Sequence, residues 1–406
     1  MAMMRRIFRW GFWLLLVILL LGTIAWTVAN VVGTSRLNEA IASARREGYA
    51  TSPSDLAPPP ATAEENAAPF YSAAFALMAE PPEILSGAQE RGFASLNAGE
   101  KAELRGWLAK QRDSFDLIRR ARSRPRCRFD RDYSLGYNMP LPELSKAIRV
   151  TKILAVRIEA LEEEGKQEEA RESVRDACGT ADCAREDAIL VCQLVRIVTW
   201  TVVMRTIDRC VTAETKEADL RAWLELLPSE TRFDGMMEHA MRGELALGAE
   251  VASESPELIL EWGNRGLLNR VGPILLHPVI KISGARHLDT LRRLIALRRK
   301  PHPEAQTEAD RIEREALEGP RWTNIVTALL LPATGRAFRN HAELIARLRV
   351  LRAGLRCEIA RAAGGYPAEV EGADPFTGGP LIYRDGKIAC PAPEGCGPIE
   401  WKLRRP

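Results

Sequence analysis

The sequence lacks the short motifs that usually mark catalysis or cofactor binding. No C-x-x-C spacing occurs among its eight cysteines, which excludes a zinc knuckle and a thioredoxin-like dithiol. H-E-x-x-H, G-x-S-x-G, G-x-x-x-x-G-K-[ST] and G-x-G-x-x-G are also missing, so zincin, α/β-hydrolase, P-loop and dinucleotide-binding readings fall away. Charge of one sign is not in excess. The 57 Lys and Arg residues nearly balance 54 Asp and Glu, leaving +3 over 406 residues, and nucleic acid is not an expected partner. Aromatics are only 6% of the chain. What fills it is Ala, Leu, Arg and Glu at helical spacing, residues that lose little on entering a helix. The expected fold class is therefore mainly α, and no catalytic, cofactor-binding or metal-ligating residue is assigned.

One long hydrophobic run is present. Arg5, Arg6 and Arg9 precede a stretch from Trp10 to Gly33 that carries no charge. At roughly 1.5 Å per residue, its length of about 36 Å exceeds a hydrocarbon core of about 30 Å. Trp10, Trp13 and Trp26 lie toward its ends, where indole rings favour the membrane interface. The positive-inside rule then leaves residues 1–9 as a cytoplasmic tail, residues 10–33 as a single transmembrane helix in the bilayer, and the remainder outside the cytoplasm. The alternative is a cleaved signal peptide ending at Thr27-Val28-Ala29, with a secreted product.

Residues 34–65 are expected to form a linker. Leu37–Arg46 has an amphipathic pattern, and the Pro-rich run from Thr51 to Glu65 reads as an extended spacer. An irregular all-α domain of helical hairpins follows over 66–363. Asn97 and Glu100 form a capping pair, Pro142 opens a helix, and Gly165 breaks it into a hairpin whose partner helix runs over 167–177. Ala170, Val174 and Ala177 are spaced like half of a tetratricopeptide repeat, but a single unit makes no array. Cys183–Val211 holds an apolar centre interrupted by Gln193 and Arg196, which reads as a buried core helix, not a second span. Further helices are expected at 216–227, 231–252, 256–268, 288–299, 304–317 and 336–363.

Residues 364–406 change character. Gly364-Gly365 ends the last helix. Asp385-Gly386 is a two-residue hairpin signal between alternating runs, and Ile399–Leu403 supplies a third strand. This small β-hairpin or meander is expected to clip onto the helical body, since a lone hairpin is marginal in water.

The stretch "G-x-YP…DPF-x-G-x-PL-x-Y" falls on Gly364 or Gly365, Tyr366, Pro367, Asp374, Pro375, Phe376, Gly378, Pro380, Leu381 and Tyr383. It resembles the end of uncharacterised, membrane-anchored exported proteins of planctomycete type. It also loosely resembles the C-terminal region of type II secretion pseudopilins. "EENAAPFYSAAFALM", "PRCRFDRDYSLG" and "LVCQLVRIV" look like the first group. The resemblance implies an architecture and an exported location, not an activity. The pseudopilin pattern needs a Glu five residues after the Gly11-Phe12 junction, and Leu16 stands there.

An exported domain favours disulfides. Cys178 pairs with Cys183 and Cys390 with Cys396 on this reading, each pair flanking a short turn. The five histidines, at 239, 277, 287, 302 and 341, are expected in surface or capping roles. Glu162–Glu164 with Glu168–Glu169 reads as a solvated hairpin tip, and Arg292–Lys300 as a basic, solvated helix face. The function expected is a membrane-anchored structural or protein-interaction module of the cell envelope, with envelope proteins as partners. The alternatives are an accessory component of a type II secretion or pilus-like system, and an envelope hydrolase whose site is assembled from distant residues.

Overall fold

The computed structural model describes residues 2–253, 268–318, 324–391 and 398–404. It is mainly helical, with one small antiparallel sheet near the C-terminus. The helix expected over 256–268 lies outside the described residues, except for Leu268.

Helix α1 runs unbroken from Ala2 to Arg46 and fuses the apolar run with the amphipathic segment behind it. Nothing between Thr34 and Arg46 breaks a helix, and the chain turns only at Gly48, where φ is +79°. From Arg9 to Ala25 every residue is exposed. Leu37, Ala40 and Ala44, on one stripe, are buried in the body.

The Pro-rich segment is not a free spacer. Thr51, Pro53, Leu56 and Pro58 are buried, and the segment lies across the body as a strap. Arg126 fixes it by donating from Nη1 to the Pro60 carbonyl (2.9 Å) and from Nη2 to that of Pro59 (3.0 Å). The composition was right for extended backbone, but three consecutive prolines also leave carbonyls without neighbouring N–H donors, and arginine forks satisfy them.

Helices α2 (Ala68–Leu77), α3 (Ile84–Arg91), α4 (Ala98–Ala109) and α5 (Arg112–Arg122) build the first half of the body. Helix α4 opens on the expected capping box: Asn97 Oδ1 accepts from Glu100 N at 3.0 Å, and Glu100 Oε2 accepts from Asn97 N at 2.8 Å. Helices α6 (Pro142–Glu163) and α7 (Gln167–Ala181) form the hairpin about Gly165, with Ala170, Val174 and Ala177 buried against the partner. The run with Gln193 and Arg196 forms α8 (Leu190–Cys210), which lies largely within the core.

Helices α9 (Glu217–Leu226) and α10 (Met236–Ser253) follow. Helix α11 (Leu268–Ala296) is longer than its sequence pattern suggested, as is α13 (Ile325–Ala363); α12 (His302–Leu317) lies between them. One apolar core joins α2 through α8 to α13 and the sheet, and a second joins α1, α10, α11 and α12.

The tail forms β1 (Ile382–Arg384), β2 (Lys387–Cys390) and β3 (Ile399–Lys402), in that order. Asp385 and Gly386 both take positive φ, +55° and +72°, as a primed two-residue turn requires. The sheet clips onto α13 through Trp401, which is 1% exposed and packed against Gly354, where a Cβ would lie 2.3 Å from the indole. Buried Glu358 of α13 accepts from Arg404 N at 2.7 Å and from the Tyr366 hydroxyl at 3.2 Å, which ties both ends of the tail to one carboxylate. Asp374 of the DPF segment is buried in a turn of its own. It accepts from the Phe376 and Thr377 amides and from the Cys390 thiol.

Candidate functional site

The polar centre of the body grows from the connection between α7 and α8. Asp182 caps the end of α7 and is buried beside Arg196, one of the two polar interruptions of α8. Arg196 donates to Asp182 Oδ1 from Nε (3.1 Å) and Nη2 (2.9 Å), and the Trp200 indole N–H donates to the same oxygen at 2.9 Å. Arg232 donates to Oδ2 from outside and lies over the Trp200 ring at 5.6 Å. Burial alone would raise the Asp182 carboxyl, but Arg196, Arg232 and the indole N–H outweigh it and hold it below its ordinary value. Gln193, the other interruption, accepts from Arg196 and donates to the Asp187 carbonyl at 2.7 Å. The Asp187 carboxylate in turn holds Arg131 and accepts from the Tyr133 hydroxyl at 2.6 Å. Apart from exposed Arg232, the members are buried and paired with opposite charge or hydrogen-bond partners, so this network is scaffold, positioning the groups at its edge.

That edge carries two adjoining clefts. The larger, of about 720 Å³, lies between the strap and the segment 231–242. The smaller, of about 300 Å³, lies between α5, α7 and the same connection. Arg196 and Arg242 line the first, Arg122, Arg124, Arg126 and Arg175 the second, and Arg185 and Arg232 belong to both. The facing carboxylates are Asp55, Asp182, Glu186 and Asp234. Glu186 is taken up by Arg126 (Nη2, 2.6 Å) and by the Cys127 amide (3.0 Å). Arg185 is exposed on the shared rim, and its side chain makes no hydrogen bond or ion pair among the described residues. Thus the balanced overall charge conceals a local excess of guanidinium groups; three of them, Arg122, Arg124 and Arg126, come from a run with seven arginines between Arg119 and Arg131. His239 lines the larger cleft with Nε2 3.2 Å from the Glu186 carbonyl, and burial lowers its pKa.

A third cavity, of about 480 Å³, adjoins the α6–α7 hairpin tip. Glu162 there is pushed up to about 7 by burial and by Asp219, while Asp219 itself accepts from Arg171 and Gln167, each at 3.1 Å. Of the remaining tip carboxylates, Glu163 pairs with Lys101 and Arg105, Glu164 with Arg105 and Lys166, and Glu168 with Arg171, while Glu169 is exposed to solvent. No group of histidine, cysteine and carboxylate side chains suited to a metal ion forms among the described residues.

Three expectations need correction. Cys178 and Cys183 are both free thiols. Helix α7 carries Cys178 and continues to Ala181, so most of the supposed turn is helical, and Cys183 lies past the helix end. Burial pushes Cys178 up to about 12, as it raises the other buried thiols, and none is a poised nucleophile. Cys390 donates to Asp374 at 2.7 Å; Cys396 lies outside the described residues. The histidines are not all peripheral. His287 and His341 are buried, and burial pushes them down to about 4 and about 3. The basic run at Arg292–Lys300 is half interior: Leu294, Ile295 and Leu297 are core residues, while Arg292, Arg293 and Arg298 pair with Glu47, Glu315 and Glu238.

Comparison of the chain with protein-family models, with curated proteins and with solved structures finds no match.

Proposed function

We propose that the chain is a membrane-anchored, extracytoplasmic interaction module of the cell envelope, and that its double cleft receives an acidic, extended segment of a partner protein. The observation that carries this reading is the pair of clefts sharing Arg185 and Arg232, with Arg185 exposed and uncompensated on the rim. Guanidinium forks fit carboxylates in pairs, and a groove walled by a proline strap suits extended backbone. Helix α1 supplies the anchor, with its arginine-flanked end in the cytoplasm. The likeness to exported proteins of planctomycete type is compatible with this location.

A second reading, an accessory component of a type II secretion or pilus-like system, draws on the DPF segment. That segment holds the clip together through Asp374, a structural use which needs no filament. An envelope hydrolase would draw on Glu162 as a proton donor.

The test is binding of fluorescent 12-residue peptides to the solubilised full chain. Acidic peptides bind, affinity falls as salt rises, and Arg185→Glu weakens binding about tenfold or more, as for reversal of a rim charge. Equal binding of acidic and basic peptides, or no loss on Arg185→Glu, contradicts the proposal.

A further inference from the structure

Helix α11 runs parallel to α1 in a fixed register. Lys281 Nζ donates to Thr34 Oγ1 (2.9 Å) and Asn30 Oδ1 (3.3 Å), Gly284 meets Leu37, and Arg292 pairs with Glu47. The numbering offset is nearly constant, 34 to 281, 37 to 284 and 47 to 292. At Gly33 the two helices come close, since a Cβ there would lie 2.9 Å from the Pro278 carbonyl, the kind of contact small residues allow between helices in lipid. Carried backward, the register sets Leu268, the first residue of α11, level with Leu21 of α1.

Leu21 lies inside the apolar run. The unbroken exposed stretch of α1 ends at Ala25, and Trp26 is the first residue of the run that is partly covered. Trp10 and Trp26 thus bracket a fully exposed apolar segment of about 25 Å, at roughly 1.5 Å per residue, within reach of a thin hydrocarbon core. The start of α11 then sits about 7 Å deeper than Trp26 on the same rise. Its sequence suits that depth: Val271–Ile280, "VGPILLHPVI", contains no Asp, Glu, Lys or Arg, and the next residue, Lys281, is held by Asn30 and Thr34.

We propose that the first turns of α11, Leu268 to Leu275, form a second membrane contact, immersed in the headgroup–acyl boundary beside α1, so that the body sits directly on the bilayer. The occupant of this surface is phospholipid, argued from continuity with α1 and from the absence of charge between Arg270 and Lys281. Immersion by about 5–10 Å is the depth at which interfacial helices lie. This inference rests on α1 being a membrane anchor.

The test is photo-crosslinking of the full chain in nanodiscs, with a benzophenone amino acid at Val271, Ile274 or Leu275 in α11, at Ile18 in α1, and at Leu77, which is exposed on α2. Lipid adducts are expected at Ile18 and at one or more of the α11 positions, at least fivefold above Leu77. Adducts at Ile18 with α11 at the Leu77 level overturn the second contact and leave the anchor standing. Background adducts at Ile18 as well overturn both.

Discussion

Gly243→Ala is expected to unfold the junction on which the clefts depend. Gly243 lies inside α10, where a Cβ would stand 1.4 Å from the Ala188 carbonyl oxygen and 2.5 Å from its carbon. Those atoms are backbone, in the connection that carries Arg185 and Glu186, and Gln193 and Asp187 pin that connection on its other side. The connection has no room to retreat without breaking the buried ion pairs. Overpacking usually costs about 1–3 kcal/mol, and a clash with fixed backbone belongs at or above the top of that range. Gly106→Ala is the matched control: it lies on exposed α4 with open space around it, and replacing a helical glycine there should stabilise by about 0.5–1 kcal/mol. Thermal unfolding in detergent reads both. A Gly243→Ala protein that melts with the parent contradicts the packing described for α10.

The second large effect is expected from Asp182→Ala. It removes the acceptor of Arg196, of the Trp200 indole and of Arg232 together, and leaves Arg196, 3% exposed, as a buried charge with only Gln193 beside it. Breaking a buried pair from one side typically costs about 3–5 kcal/mol. Adding Arg196→Met should recover much of the loss, because the uncompensated charge goes and the aliphatic volume stays. Denaturant unfolding of the two single variants and the double variant measures the coupling. Losses that simply add would show that the pair is not the fixed point of the α7–α8 connection.

Where a structural rule is local, the residues spelled it out. Asn97 with Glu100 gave the helix start, Gly165 the hairpin, Asp385-Gly386 the turn of the clip, and the charge-free run the exposed length of α1. What stayed hidden depends on partners far apart in sequence. Nothing near Pro59 and Pro60 announces that Arg126 will bond their carbonyls, so the strap read as a spacer. Likewise, Gln193 and Arg196 were visible as polar breaks in an apolar helix, yet their acceptors lie on the preceding connection. The clefts had one local signal, the arginine-dense run that supplies Arg122, Arg124 and Arg126, which the near-zero net charge masked. The α1–α11 register had none: a lone Lys281 inside an apolar stretch says nothing about Asn30 and Thr34, some 250 positions away.

The most direct measurement pairs alkaline carbonate extraction of native membranes with external protease on a separate sample of sealed spheroplasts, with one epitope before Met1 and another after Pro406. The account predicts that the intact chain stays with the membrane pellet, that the protease removes the C-terminal epitope, and that the N-terminal epitope survives on a short fragment. A chain released into the carbonate supernatant, or a C-terminal epitope protected on sealed spheroplasts, would contradict it.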